Sequence, residues 1–234
     1  MCGRYRLSRR KEILAEQFDT DFDDLDWEPR YNIAPTQPVS VIRQLAGSHI
    51  RKGSLMRWGL IPAWAADSTG AARTINARAD TAASKPSFRD PLRKQRCLIP
   101  ADAFYEWRRA ARDKQPFCFE VGAGDVFAFA GLWDRWAGPR GQVLETCTIL
   151  TTMPNELLAD VHDRMPAILP AEDYDRWLDL RMQDVERAVC LLKPYDASKM
   201  RRYPVSTRVN LVTNDGPECS APVELPATTG LLFG

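Results

Sequence analysis

Apolar positions along this chain repeat with two periods, and the period of two dominates. Residues 11–18 set Ile13, Leu14 and Phe18 at helical spacing, which predicts a short amphipathic helix. Residues 39–45 and 55–60 read as strands, the second running into Trp58-Gly59-Leu60-Ile61-Pro62-Ala63-Trp64. Ahead of them, Trp27 to Pro38 contains Pro29, Pro35 and Pro38, the composition of an ordered loop. Residues 65–74 are small and polar and predict another loop. Residues 97–107 predict a strand interrupted near Pro100. Phe117 and Phe119 alternate before Gly122-Ala123-Gly124-Asp125, and Phe127 and Phe129 alternate after it, which predicts a β-hairpin of 117–121 with 126–130. Residues 144–151 form a further strand. Asn155 can cap a helix through Val161. Pro170 can open another through Leu180, with Tyr174, Trp177 and Leu178 on its apolar side. Strands follow one another without βαβ alternation, so the expected class is an antiparallel, mixed α+β domain.

The 234 residues, 44% apolar and 27% charged, suit one globular domain with a real core. The first twenty residues hold five basic side chains and no apolar h-region, so no signal peptide is expected. No apolar run is long enough to span a bilayer, and position 2 is not the glycine that myristoylation needs. Cys2, Cys97, Cys118, Cys147, Cys190 and Cys219 form no C-x-x-C pair, and His49 and His162 are the only histidines, so no metal is expected. Reduced, mostly buried thiols in a cytoplasmic compartment follow, nucleoid-associated if the source is bacterial. Net charge is only +1, yet Asp19, Asp21, Asp23, Asp24, Asp26 and Glu28 form an acidic run. Basic clusters occur at residues 4–11, at Arg89, Arg93, Lys94 and Arg96, at Arg108, Arg109, Arg112 and Lys114, and at Arg201 and Arg202. Each alone reads as a solvated face; together they could line a basic groove.

Cys2 carries the most distinctive chemistry. Loss of Met1, favoured by the small residues Cys2 and Gly3, would leave an α-amine and a thiol two carbons apart. An α-amine titrates near about 7.7–8.0, against about 10.4 for lysine, so roughly a tenth of it is nucleophilic at neutral pH. A 1,2-aminothiol condenses with an aldehyde: the amine forms a Schiff base and sulfur closes a thiazolidine. The alternative is an ordinary early cysteine. Phosphate-loop, dinucleotide and nucleophile-elbow motifs are absent, and Gly122 and Gly124 belong to a turn. In Ala103-Phe104-Tyr105-Glu106-Trp107, alternation puts Phe104 and Glu106 on one face and Tyr105 and Trp107 on the other. Aromatic flanks are expected to leave Glu106 poorly solvated and suit it to general acid–base work; the alternative is a rim glutamate paired with Arg108 or Arg109. His162, just past a predicted helix end, can hold or donate a proton near neutral pH, or be structural. Asn76 and Arg78 share a face, where an amide can orient a nucleophile and a guanidinium can fork onto phosphate. The aromatic, proline-rich loops could stack on unpaired bases, though Trp58 reads as core.

These segments, in this order, resemble the SRAP family of abasic-site processing proteins, first described as SOS-response-associated peptidases. The resemblance rests on Met1-Cys2-Gly3-Arg4-Tyr5, Tyr31-Asn32-Ile33-Ala34-Pro35-Thr36, residues 58–64, and Asn76-Ala77-Arg78-Ala79-Asp80-Thr81. Residues 96–102, Phe104-Tyr105-Glu106-Trp107, His162-Asp163-Arg164-Met165-Pro166, Pro204-Val205-Ser206 and Val209-Asn210 extend it. Asp80 stands where the family usually has glutamate. The resemblance implies one α+β domain, residues 1–226, on a curved, barrel-like antiparallel sheet with peripheral helices, then a short tail, 227–234. It implies a covalent trap for abasic sites in single-stranded DNA, and a monomer without cofactor is expected. Cys2 would be the nucleophile, Asn76 would orient its amine, Glu106 would shuttle protons, and His162 would promote sugar ring opening and lyase chemistry. Arg4, Arg78 and Arg164 would hold phosphates, with Thr151 in support and Asn32 in the DNA-binding set. Pro35, Trp64 and Trp107 would wedge or stack beside the lesion. Two other classes stay open: a cysteine peptidase using Cys2 and His162, and a non-catalytic binder of single-stranded nucleic acid.

Overall fold

A computed structural model describes residues 2–22, 26–45, 47–109 and 114–225. Met1, Asp23 and Asp24 of the acidic run, Arg112, the side chain of Arg109 and the expected tail 227–234 lie outside the described residues. In chain order the elements are β1 (Tyr5–Leu7), α1 (Lys11–Phe18), β2 (Thr20–Asp21), β3 (Arg30–Ile33), β4 (Pro38–Gln44), β5 (Arg51–Trp58), β6 (Asn76–Arg78), α2 (Ala79–Ala82) and α3 (Pro86–Lys94). They continue with β7 (Arg96–Ala101), β8 (Ala103–Arg109), β9 (Lys114–Val121), β10 (Phe127–Ala137), β11 (Val143–Thr152), β12 (Met165–Pro166), β13 (Ile168–Leu169), α4 (Tyr174–Leu178), α5 (Val185–Val189) and β14 (Met200–Pro204).

Five strands close on themselves. β10 pairs antiparallel with β11 and β7, β7 meets β4 at Leu98 and Ile42, and β4 pairs with β5. β5 returns to β11 in parallel, Arg57–Trp58 against Thr146–Cys147. Closure leaves the ring without an open edge. β7 is buried along its whole length, which is why Cys97-Leu98-Ile99-Pro100-Ala101 is continuously apolar. A second sheet, in the order β14-β9-β8-β1-β3, lies against the barrel. Tyr5 of β1 meets Trp58 and Phe129 edge-on at 5.4 and 5.7 Å, and Phe104 of β8 stacks on Phe119 at 5.1 Å. Each such buried ring contributes about 1.5–3 kcal/mol, so this seam carries much of the stability. The result is a single α+β domain on a curved, barrel-like sheet with short helices at its periphery. The sheet is mainly antiparallel, with β6 and β5 parallel to β11 and β2 parallel to β5.

Several local expectations are corrected. The turn at 122–125 forms, with Gly122 and Gly124 at φ 54° and 89° and Asp125 N donating to Val121 O at 3.0 Å. Its flanking strands do not pair with each other: β9 enters the sheet between β14 and β8, and β10 enters the barrel. Turn chemistry is satisfied either way, and residues 127–132 pair instead with residues 96–101 of β7, with Ala128 and Phe129 also against β13. The chain breaks at Asp102, not at Pro100, which stays in register opposite Ala128. Asp102 turns the chain because its carboxylate accepts from Ser8 N at 2.6 Å and Arg9 N at 3.1 Å and pairs with Arg6. Asn155 Oδ1 accepts from Leu158 N at 3.1 Å, but turns follow instead of an α-helix. Pairing of β12 with β11 pulls that segment back into the sheet after a few residues. Ile13 is exposed, because so short a helix buries only the narrow Leu14–Phe18 stripe. Arg96 is no surface cation: it is buried and donates to the carbonyls of Leu92, Trp177 and Met182. The thiols are free and, except for Cys190, buried.

Candidate active site and nucleic-acid interface

β1 runs antiparallel beside β8, Tyr5 opposite Phe104, and Tyr105 N donates to Arg4 O at 3.0 Å. That register carries the start of the chain toward the Glu106–Trp107 end of β8. Cys2 and Glu106 are both buried there. Burial first, and the Glu106 charge second, push the Cys2 thiol well above the ordinary thiol range. Asn76 comes from the other side, on β6, whose parallel pairing with β11 sets Asn76 against Ile149. Its Nδ2 donates to Cys2 O at 2.8 Å. Glu106 is therefore a buried carboxylate facing Cys2 and not a rim residue.

β6, β11 and β12 lie side by side and align a second group of polar residues. Arg78 forks onto Asp80, Nε to Oδ1 at 3.0 Å and Nη2 to Oδ2 at 2.7 Å. Arg164 reaches the same carboxylate at 3.4 Å and donates to Thr151 O at 2.7 Å. Thr151 is buried and supports Arg164 through its carbonyl. His162 lies beside them: its Nδ1 is 3.0 Å from Arg164 N, which donates to it, and 2.8 Å from Asp163 Oδ1. The two contacts compete, since the neutral nitrogen accepts and the protonated one faces the carboxylate.

Across the site, Arg4 donates to Asn32 Oδ1 at 2.8 Å and to Val209 O at 2.6 Å, and its guanidinium lies 5.9 Å from the Trp107 ring. Asn32 is fully buried, so it sits behind the surface and meets Arg4 from within. Its Nδ2 faces the carbonyls of Val209, Leu211 and Asn214 at 3.2, 3.0 and 2.6 Å. Two residues to which the sequence assigned no role complete this latch. Asn210 Oδ1 accepts from Trp107 Nε1 at 2.7 Å, and Asp215 Oδ1 accepts from Tyr31 N and Asn32 N at 2.6 and 2.7 Å. Asn210 belongs to a motif of the resemblance; Asp215 had no signal beyond the turn composition of Asn214-Asp215-Gly216.

Pro35 lies half-buried in a turn closed by Gln37 N to Ala34 O at 3.3 Å, with Thr36 at φ 70°. Trp64 stands 67% exposed on a loop whose ends are joined by Leu60 N to Thr74 O at 3.3 Å, two residues before Asn76. Buried Cys2 and Glu106 and half-buried Asn76 thus form one group, Arg78, Arg164, Thr151 and His162 a second, and Arg4, Asn32 and Trp107 a third. Pro35 and Trp64 occupy separate loops, with no hydrogen bond to Cys2 among the described residues. A concavity of about 520 Å³ lined by Pro170, Arg176, Cys190 and Tyr195 includes none of these residues.

Residues 1–212 match the family model described as SOS response associated peptidase (SRAP). The chain belongs to the SRAP family. It is 47% identical over 221 residues to the abasic site processing protein YoqW of Bacillus subtilis (strain 168), covering 93% of this chain and 98% of that one. It is 35% identical over 229 residues to the abasic site processing protein HMCES of Gallus gallus, covering 85% of this chain and 68% of that one. A crystal structure of a protein from Bacteroides thetaiotaomicron superposes with a TM-score of 0.84 at 29% identity, over 95% of this chain and 100% of the other. In this SRAP domain, Arg4 Nε, Asn76 Oδ1 and Arg164 Nε are buried without a hydrogen-bond partner, as are the Thr20, Ser54 and Thr148 hydroxyls elsewhere in the fold. Such atoms are costly in a finished core and are natural points for a ligand to meet. Among the described residues no three His, Cys, Asp or Glu side chains cluster as metal ligands, and no helix is long and apolar enough to cross a membrane.

Proposed function

We propose that this protein processes abasic sites in single-stranded DNA through a covalent thiazolidine bond at Cys2, exposed as the N-terminus by loss of Met1. The observation that carries the reading is the burial of Cys2 against Glu106 with its carbonyl held by Asn76 Nδ2 at 2.8 Å. The α-amine of Cys2 attacks C1′ of the ring-opened sugar. Asn76 Oδ1, a buried acceptor without a partner, suits the amine hydrogens. Glu106 donates a proton to the departing hydroxyl, so that water leaves and an imine remains. The thiol then adds to the imine carbon, and its proton returns through Glu106. One water is released for each thiazolidine formed. A raised thiol pKa fits sulfur that adds second, after the amine; a peptidase of the Cys–His kind needs a thiolate first. His162, beside Arg164, would assist sugar ring opening and β-elimination from the imine. Arg4, Arg78 and Arg164 would bear on phosphates, and Trp64, Pro35 and Trp107 on neighbouring bases.

The test is incubation with an abasic oligonucleotide, read by denaturing electrophoresis and intact mass. The mature chain is expected to lack Met1 and to form a durable adduct. Cys2→Ser, with Met1 removed, is expected to give a borohydride-trappable imine but no durable adduct. N-terminal acetylation is expected to abolish both. A stable adduct from acetylated protein would overturn the aminothiol mechanism, and peptidase activity surviving acetylation but lost in Cys2→Ser would favour the peptidase.

A further inference from the structure

Asp80 stands between two arginines to which the DNA reading above assigns phosphates. It follows β6 in the first turn of α2, so chain geometry brings it back onto Arg78, two residues earlier. Its two oxygens take the Arg78 fork at 3.0 and 2.7 Å, the arrangement by which a guanidinium also binds a phosphodiester. The Arg78 and Asp80 side chains are 55% and 48% exposed, so this is a weak, exchangeable pair in water. Arg164 differs: its side chain is 8% exposed and pinned to Thr151 O. Its Nε is buried and has no partner. A fixed, buried cation and an exposed cation flank one carboxylate, and Arg164 Nε is a donor that the carboxylate does not satisfy.

We infer that the Asp80 carboxylate is an internal counter-ion that a backbone phosphate of the bound strand displaces from Arg78 and Arg164. The inference rests on the DNA reading of this site. A lone small anion must displace Asp80 unaided. A strand held by Arg4 and Trp107 at its neighbouring nucleotides brings its phosphate in as part of a larger contact. Asp80 thereby selects a polymer over free phosphate, and it reduces by about one the phosphates whose neutralisation releases salt.

The experiment measures binding of a labelled intact single strand, without an abasic site, by fluorescence anisotropy across a salt series. Wild type is compared with Asp80→Asn, Asp80→Glu and Glu186→Gln, the last a distant-helix control that removes an exposed acid paired with neither arginine. Asp80→Asn is expected to bind severalfold tighter at low salt, with log Kobs against log salt steeper by about 0.7. Inorganic phosphate should compete better against this variant than against wild type. Asp80→Glu should follow wild type, and Glu186→Gln should leave the slope unchanged. Weaker binding by Asp80→Asn with an equal or shallower slope would overturn the inference, making Asp80 a prop for the arginines. Equal steepening in Glu186→Gln would overturn it too, leaving only net charge. If wild type binds no single strand, the DNA reading itself fails and takes this inference with it; wild type is measured first, so the two failures are separate.

Discussion

Replacing Asn32 with alanine should loosen the whole Arg4 side of the site. The amide is fully buried, accepts from the Arg4 guanidinium at 2.8 Å, and presents Nδ2 to three carbonyls at 3.2, 3.0 and 2.6 Å. Two amide hydrogens serve those carbonyls, at about 1 kcal/mol net each, and the bond to the charged partner contributes about 1.5–3 kcal/mol. Alanine restores none of these, so the expected loss is about 4 kcal/mol. In a domain of this size that lowers Tm by about 8–16 °C. The carbonyls belong to residues 209–214, which also hold Trp107 through Asn210. Crosslinking to abasic DNA should therefore fall, although Asn32 never reaches the surface. Thermal unfolding followed by circular dichroism gives the first number, and initial crosslinking rates below the variant's Tm give the second. A Tm drop under about 3 °C, with crosslinking unchanged, would refute the claim that Asn32 ties Arg4 to the 209–214 loop.

Glu106→Gln keeps the side chain's shape but cannot exchange a proton; crosslinking should slow at least tenfold while binding to an intact strand stays within twofold, and an unchanged rate would remove Glu106 from the chemistry. Arg78→Ala should weaken binding to intact and abasic strands alike and flatten the salt slope by about 0.7, as measured by anisotropy. Burial opposes ionisation of Glu120, but hydrogen bonds from Tyr203, Arg201 and Arg6 outweigh it and hold the carboxyl below its usual range. The stability it lends is complete above the ordinary value of 4.5 and is lost as pH falls through the lower folded value. Urea midpoints measured down the acid limb should drop less steeply in Glu120→Gln than in wild type.

Local features of the structure were legible wherever a local pattern sufficed. Alternation put Glu106 and Phe104 on one face of a strand, and the structure buries both. The α1 bounds and the buried Tyr174, Trp177 and Leu178 follow from helical spacing. Gly122 and Gly124 announced their turn through the positive φ they adopt. The hairpin did not follow, because a turn constrains only the residues it contains, while strand pairing depends on segments elsewhere in the chain. The same limit hid the break at Asp102, whose carboxylate partners lie at residues 6–9. It also hid Asp215, which bonds Arg30, Tyr31 and Asn32 from more than 180 residues away.

The sequence by itself determined an α+β chain rich in strands and motifs sufficient to mark its family. These rest on side-chain chemistry, periodicity and order along the chain, all local or linear properties. Only the tertiary structure decided that β5 closes the barrel onto β11, that Asn76 reaches Cys2 across 74 residues, and that Asp80 lies between Arg78 and Arg164. It also moved Asn32 and Arg96 from candidate surface to interior. The physical reason is common to all of these. Closing a sheet and satisfying buried polar groups are conditions on the whole chain at once, and no window of neighbouring residues contains the partners that meet them.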